Sequence, residues 1–247
     1  MSEPAGDYVI APIATRLRTA AGERGWPAAV AALGGWGARL LTGLPATVLP
    51  LPRRSFHFEG HSYHYLVHRY KHSWLGERAV EVPIARGLIN ESTGGPVLEV
   101  GHVLGHYGPT THEVVDKFER APGVRNVDVL DLSAEQPYEV IVSISTLEHV
   151  GWDDQPRDPE RAVAAVHHLR SLLAPGGRLL ATIPLGYNPV LVEAVFEGRA
   201  GFDRVIAIAR VGAGLRWSVV PLEDVRELPY DRLLYRAPAV LVCTATG

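Results

Sequence analysis

The chain has 247 residues and a formal net charge of -3, with 47% apolar and 21% charged residues. A chain of this length buries a substantial core without disulfides or metal, and its ordinary composition excludes disordered and fibrous classes. Phosphate binding needs a concentrated field of basic side chains, so the charge argues against a nucleic-acid partner.

The cysteine content and the apolar segments bear on the compartment. Cys243 is the only cysteine, which rules out an intramolecular disulfide. Residues 1–4 lack the basic and apolar regions of a secretory signal, and the Ala/Gly-rich stretch 27–44 carries Arg39 and is too short in its uncharged part to span a bilayer. We therefore expect a cytoplasmic protein with no membrane partner.

Residues 1–90 are predicted to form a helical and hairpin extension that acts as a lid or a substrate-recognition element. Ala-rich stretches at 13–22 and 28–44 predict helices, and the aromatic alternation around Glu59 and Gly60 predicts a β-hairpin. Pro83 interrupts the apolar segment 74–90, so we expect a helix on only one side of it.

Residues 91–247 are predicted to form an α/β domain with a doubly wound, mostly parallel sheet. Asp158-Pro159-Glu160 predicts the start of a helix, with a capping residue and a first-position proline. Three later β-rich segments, 205–211, 217–220 and 239–243, fit antiparallel edge strands. Five earlier apolar runs predict strands at 97–100, 113–116, 127–130, 140–145 and 178–183.

Three strand ends carry residues suited to a nucleoside ligand. The first ends in Glu99 and a turn containing Gly101 and Gly105, where glycine lets backbone approach a ligand. Asp116 ends the second strand and can accept hydrogen bonds from both hydroxyls of a ribose. Asp131 follows the third and either faces an adenine amino group or lies in a surface turn. The turn lacks the full Gly-x-Gly-x-x-Gly pattern, which disfavours a nicotinamide cofactor.

Three sequence runs resemble the class I S-adenosylmethionine-dependent methyltransferases: residues 97–105, 141–150 with Leu-Glu-His, and 172–179 with Leu-Ala-Pro-Gly-Gly. The resemblance implies a seven-stranded sheet with helices on both sides and S-adenosylmethionine as cofactor. It would place Glu99 and Gly101 near the methionine end, Asp116 at the ribose and Asp131 at the adenine. Val103 stands where the family has glycine, so this turn either crowds the ligand or follows a different path.

Methyl transfer requires mainly that the nucleophile is aligned with the methyl group and that water is excluded, and a general base is optional. Candidate catalytic residues are those that follow the ends of the first, fourth and fifth strands, namely His106, Tyr107, His149, Tyr187 and Asn188. We favour His149 as a base or orienting group because it follows a strand end and titrates near neutral pH. The alternative is a histidine that caps the turn or bonds backbone.

Two groups of side chains are of types that can bind a metal ion. The first is the histidine group from His57 to His72. On a helix, His61, His64, His68 and His72 would share a face, but the aromatic alternation favours strands, on which His57, His64 and His68 lie opposite the aromatics. Asp153, Asp154 and Asp158 could bind a divalent cation, although caps and turns explain them better. We therefore predict no metal site.

Three functions are compatible with these features. The first is methyl transfer to a small polar metabolite in secondary-metabolite or saccharide biosynthesis. The second is a methyltransferase fold that catalyses a different reaction, such as a cyclisation or an elimination. The third is a non-catalytic binding subunit, which would show a filled cleft beside a large apolar patch. The sequence also leaves a homo-oligomer open.

Overall fold

The computed structural model describes residues 12–45, 54–212 and 216–247. The prediction that residues 1–4 carry no secretory signal lies outside these residues. The helices are α1 (Ile13–Arg24), α2 (Trp26–Gly43), α3 (Arg78–Asn90), α4 (Glu160–Ser171) and α5 (Pro189–Phe196). The strands are β1 (Ser55–Phe58), β2 (His61–His64), β3 (Val97–Val100), β4 (Glu113–Val115), β5 (Val124–Arg125), β6 (Tyr138–Ile144), β7 (Leu173–Pro184), β8 (Arg204–Val211), β9 (Arg216–Val220) and β10 (Ala239–Thr246).

The main sheet has the order β5-β4-β3-β6-β7-β10-β8-β9. The first five of these strands are parallel, and β10, β8 and β9 extend the sheet antiparallel. The chain runs outward from β3 to β5 and then returns to β6 on the other side of β3. This reversal makes β3 and β6 the switch point of a doubly wound sheet, as predicted, with eight strands in place of seven.

Apolar cores lie on both faces of the sheet. One face packs against α4 and α5, and its core includes Leu169, Leu179 and Leu241. The other packs against α3 and the β1–β2 hairpin, and its core includes Phe56 and Val142. Alternation along each strand places neighbouring side chains in opposite cores, so both faces of the central strands are buried.

Helix α3 continues through Pro83, and the prediction of a helix on one side only was wrong. Proline removes the N–H that would bond the carbonyl four residues earlier, which here belongs to Ala79. The N–H of Leu66 donates to that carbonyl at 2.9 Å. A residue from outside the helix therefore replaces the lost bond, and the helix runs unbroken to Asn90.

Two local predictions in the α/β region need correction. The third strand is β5, which has two residues and ends before the predicted run 127–130; that run leads into a 3-10 turn at Val129–Asp131. Helix α4 begins at Glu160 without a side-chain cap, so Asp158 does not cap it.

Within the described ranges, no helix combines the length and the apolar character that crossing a membrane requires.

Candidate functional site

A cleft of about 1140 Å³ opens at the carboxyl ends of the parallel strands, where doubly wound sheets bind ligands. Its floor is formed by residues at or just after strand ends: Gly101, Asp116, Asp128, Ser145, Thr146 and Pro184. Its walls come from α1, α2, the segment before α3 and the loop before β10, and include Arg16, Trp36, Lys71, Tyr230, Leu234 and Arg236. The N-terminal helices and the loop before β10 thus enclose one cavity.

The turn after β3 follows a different path from a glycine-rich loop. Gly101 has a φ of 88°, and a Cβ there would lie 2.1 Å from Thr146 Oγ1, so only glycine fits. Val103 lies in the right-handed helical region at φ -100° and begins a 3-10 helix, Leu104–Tyr107. Of the two outcomes expected for Val103, the structure has the altered path, with no strain at the valine.

Glu99 is fully buried and holds this turn in place. Its Oε1 accepts hydrogen bonds from the N–H groups of Val103 at 2.8 Å and Leu104 at 2.7 Å, and its Oε2 lies 2.9 Å from His112 Nε2. The carboxylate is not on the cleft wall, and neither is Gly105. Neither residue therefore makes the ligand contact that was predicted for it, and both affect the cleft only through the shape of the turn.

Asp116 lies on the cleft wall at the end of β4. Its Oδ1 accepts from the N–H groups of Phe118 at 2.9 Å and Glu119 at 2.8 Å, and its Oδ2 accepts from the N–H of His102 at 3.1 Å. A carboxylate oxygen accepts about two hydrogen bonds, so Oδ2 has capacity for one further donor. The geometry suits one ribose hydroxyl, not both.

The acidic residue that reaches the cleft after β5 is Asp128. Asp131, predicted for this position, is exposed and does not line the cleft. Asp128 Oδ2 lies 3.0 Å from both Lys117 Nζ and Arg161 NH2. Burial alone would raise its pKa, but the Leu130 N–H and these cations lower the pKa of Asp128 below its ordinary value. Asp128 is therefore ionised at neutral pH.

His149 forms a polar network on the opposite wall. Its Nδ1 lies 2.5 Å from Asp153 Oδ2, the Tyr187 hydroxyl donates to the same oxygen at 2.9 Å, and the two rings meet edge-on at 4.6 Å. Burial alone would lower the pKa of His149, but the bond with Asp153 and the nearby carboxylates raise this pKa above its ordinary value. The imidazole is 42% exposed, and that exposed part faces the cleft.

Glu148 is a buried carboxylate on the cleft wall. Its Oε1 lies 3.7 Å from His149 Nε2, and its Oε2 finds no hydrogen-bond partner among the described residues. Burial raises the pKa of Glu148 to about 7. Asn188, predicted as a candidate catalytic residue, is itself buried; it caps α5 and donates to the Glu148 carbonyl at 3.2 Å. It therefore positions the turn that carries Glu148 and His149.

Beneath the cleft lies a buried ionic cluster that the sequence did not reveal. Arg78 NH1 pairs with Glu81 Oε2 at 2.5 Å, and the Ser145 hydroxyl donates to Glu81 Oε1 at 2.5 Å. Ser145 has a φ of 39°, which is uncommon outside glycine. The cluster joins α3 to the end of β6 and holds this backbone under the cleft. Only the tertiary packing of α3 brings these residues together.

Two further predicted catalytic residues, His106 and Tyr107, lie beside the cleft. Tyr107 is buried in the hairpin-side core, and burial raises its pKa to about 12. His106 stacks on Tyr70 at 4.1 Å. Neither lines the main cleft; both line a smaller cavity of about 170 Å³ that shares Ser145, Thr146 and His149 with it. His57 and His64 are exposed on the hairpin, opposite its buried aromatics.

No protein-family model and no curated protein matches the chain. Solved structures similar to it include the N-methyltransferase NodS of Bradyrhizobium japonicum in complex with S-adenosyl-L-homocysteine, at 13% identity over 66% of this chain and 85% of NodS, with a TM-score of 0.39. A SAM-dependent methyltransferase of Thermotoga maritima has 15% identity, 72% and 94% coverage and a TM-score of 0.42. The CcbJ methyltransferase of Streptomyces caelestis has 14% identity, 66% and 88% coverage and a TM-score of 0.35. At these values the likeness carries no argument about activity.

Proposed function

We propose that this protein transfers the methyl group of S-adenosylmethionine to an oxygen or nitrogen of a small polar metabolite. The observation that carries the proposal is the cleft itself. It lies at the switch point of the sheet and has acidic residues suited to an adenosyl group on one side and a histidine–carboxylate pair on the other.

The adenosyl half is assigned to the β3, β4 and β5 ends. Asp116 Oδ2 accepts a ribose hydroxyl, and Asp128 accepts from the adenine amino group, the role first predicted for Asp131. Phe118 lines this part of the cleft and is 56% exposed, so its ring offers an apolar face to the base. Gly101 lets the methionine part approach the backbone. The residues present therefore fit the cofactor.

The reacting half is assigned to the β6 and β7 ends. When bound, S-adenosylmethionine supplies a methyl group on a sulfonium whose sulfur retains the electron pair of the breaking bond. With Asp153 holding Nδ1–H, His149 Nε2 accepts the proton that the acceptor loses. Asp153 stabilises the resulting imidazolium, and Tyr187 fixes the carboxylate that does so.

The acceptor side favours a small molecule with both polar groups and an apolar face. Tyr187, Tyr230 and Tyr235 meet edge-on in succession, with ring centroids 5.3 and 6.0 Å apart, next to His149 and Asp153. Trp36 from the N-terminal extension also lines this cleft, which supports the extension as a substrate-recognition element. An open cleft of this volume argues against a non-catalytic subunit, whose cleft would be filled.

Two conservative variants test the cofactor placement. Asp128→Asn should weaken binding of S-adenosylhomocysteine by about 1–3 kcal/mol, because it removes a charged acceptor. Asp131→Asn makes the same chemical change three residues later on an exposed side chain and should leave binding unchanged. Isothermal titration of both measures this, with thermal unfolding as a check on stability. If Asp131→Asn weakens binding and Asp128→Asn does not, the adenine placement is wrong.

Activity itself is tested by incubating the protein with methyl-labelled S-adenosylmethionine and a panel of small hydroxylated and amino metabolites. We expect S-adenosylhomocysteine to form together with one labelled acceptor. Cofactor binding without transfer to any acceptor would instead favour a methyltransferase fold that catalyses another reaction.

A further inference from the structure

His102, His106 and Glu119 converge beside the cleft. His102 Nδ1 lies 2.9 Å from Glu119 Oε1, and His106 Nε2 lies 3.0 Å from the same oxygen. One ligand atom from each residue lies within 4.8 Å of the others, and no other described group of three or more His, Cys, Asp or Glu meets this condition. The sequence pattern predicted no metal site, and the histidine group that it offered, His57 to His72, lies in a different segment.

We propose that these three side chains bind a divalent transition-metal ion, with zinc as the ion best suited to them. Two imidazoles and one carboxylate are a ligand set used by catalytic zinc sites, which keep a further position open. In the described structure both imidazoles point a ring nitrogen at one carboxylate oxygen. An ion placed among the three atoms would replace these contacts with bonds to nitrogen and oxygen.

Each imidazole is held in position by its surroundings. A Cβ at Gly105 would lie 2.1 Å from His102 Nε2, so the absence of a side chain at Gly105 makes room for this ring. His106 stacks on Tyr70 with ring centroids 4.1 Å apart and planes 13° apart. Preorganised ligands lose little side-chain entropy on binding, which favours a specific site over a chance grouping.

The loops that carry the ligands are tied together by Asp116. Its Oδ2 accepts from the N–H of His102 after β3, and its Oδ1 accepts from the N–H of Glu119 after β4. One carboxylate therefore fixes the relative position of both loops. These bonds position the backbone from which two of the three proposed ligands project.

The open side of the site faces the cavity of about 170 Å³ next to the cleft. That volume holds a metal ion together with water or a ligand oxygen. Lys71 and Arg78 also line this cavity, and their positive charges oppose the binding of a cation. The carboxylate of Asp116 and the pairing of Arg78 with Glu81 offset this repulsion. A bound ion would thus present its open position to an oxygen ligand that enters from the cleft.

Zinc titration of the chelator-treated, full-length protein tests the site without any cofactor. We expect one zinc per chain by calorimetry and by elemental analysis after dialysis. His106→Ala should weaken zinc binding by more than about 100-fold, beyond the range for outer-shell partners. Glu119→Gln, which keeps the side-chain shape, should weaken it at least about 10-fold. His57→Ala, an exposed histidine of the hairpin, is the matched control and should bind zinc normally.

Cobalt substitution separates ligation from a structural role. Co²⁺ bound by the wild type should give visible d–d absorption that changes in Glu119→Gln, even where that variant is as stable as the wild type. The proposal is overturned if the wild type retains no zinc, or if the zinc affinity of folded His106→Ala and Glu119→Gln equals that of the wild type. Because no cofactor is present, a protein that binds S-adenosylmethionine but not zinc contradicts this inference alone.

Discussion

The β3–β4 side of the cleft and the β6–β7 side both carry carboxylates, but they use them differently. Glu99 and Asp116 accept hydrogen bonds from backbone N–H groups of their own turns, so they fix the shape of a binding surface. Glu148 instead has a buried oxygen without a hydrogen-bond partner among the described residues, and Asp153 bonds His149 and Tyr187. The pKa values of Glu148 and His149 are both raised on this second side, which supports the proposal that it is the reacting half.

The largest expected effect is loss of turnover in His149→Ala. Removing a general base reduces the rate by roughly 10²–10⁴-fold. Cofactor affinity should stay within about twofold, because the variant leaves the β3–β4 side intact. Single-turnover kinetics with the acceptor found in the screen measures the rate, and calorimetry measures the affinity. A rate equal to that of the wild type would remove His149 from the mechanism.

Glu148→Gln should change the pH dependence of stability. The pKa of Glu148 is raised to about 7, so the native state retains a proton that the unfolded state loses above its ordinary pKa. The protonated Glu148 therefore contributes to the free energy of unfolding at acidic pH, and this contribution is lost as pH rises through about 7. The glutamine of the variant does not titrate, so the variant should be more stable than the wild type at pH 8 by about 1–3 kcal/mol. Denaturant unfolding at pH 5 and pH 8 measures it, and equal differences at both would contradict the burial argument.

Asp116→Ala should weaken both the cofactor site and the fold around it. The loss of a charge-assisted hydrogen bond to the ribose should cost on the order of 1.5–3 kcal/mol of binding free energy. Because three backbone N–H groups also lose their acceptor, the melting temperature should fall as well. Calorimetry with S-adenosylhomocysteine tests the first effect, and unchanged affinity would refute the placement of the ribose.

The smallest expected effect is a shift in the pH profile of Asp153→Asn. Asp153 stabilises the protonated imidazole, so the variant should lower the pKa of His149. A base with a lower pKa loses its proton at lower pH, and the acid limb of the kcat profile should move to lower pH. Tyr187→Phe, which keeps Asp153 on the imidazole, should shift the limb less. A shift to higher pH would reverse the assigned role of Asp153.

The sequence predicted the order of strands and helices well because the apolar runs of β6 and β7 are long and the shorter run of β3 ends at a glycine turn. It misplaced the acidic residue that lines the cleft after β5, since β5 has only two residues and a two-residue strand leaves almost no periodic signal. Asp128 was therefore missed and Asp131 chosen three residues later. Asp116 directly follows β4 and His149 lies in the turn after β6, so both were predicted close to the cleft that they line.

Residues brought together only by tertiary packing could not be predicted in the same way. Glu81 lies on α3 and contacts Ser145 across the sheet face, which no local spacing reveals. His102 and His106 did carry a local signal, the four-residue spacing of two potential ligands. Their partner Glu119 comes from the next loop, so only the structure shows that the three converge.

The most direct test of the central claim is isothermal titration of the wild-type protein with S-adenosylmethionine and S-adenosylhomocysteine. A cleft built for the adenosyl cofactor predicts micromolar binding of at least one of the two, with one site per chain. No binding of either would contradict the assignment of the β3–β4 side and would point to the altered turn at Val103 as the reason.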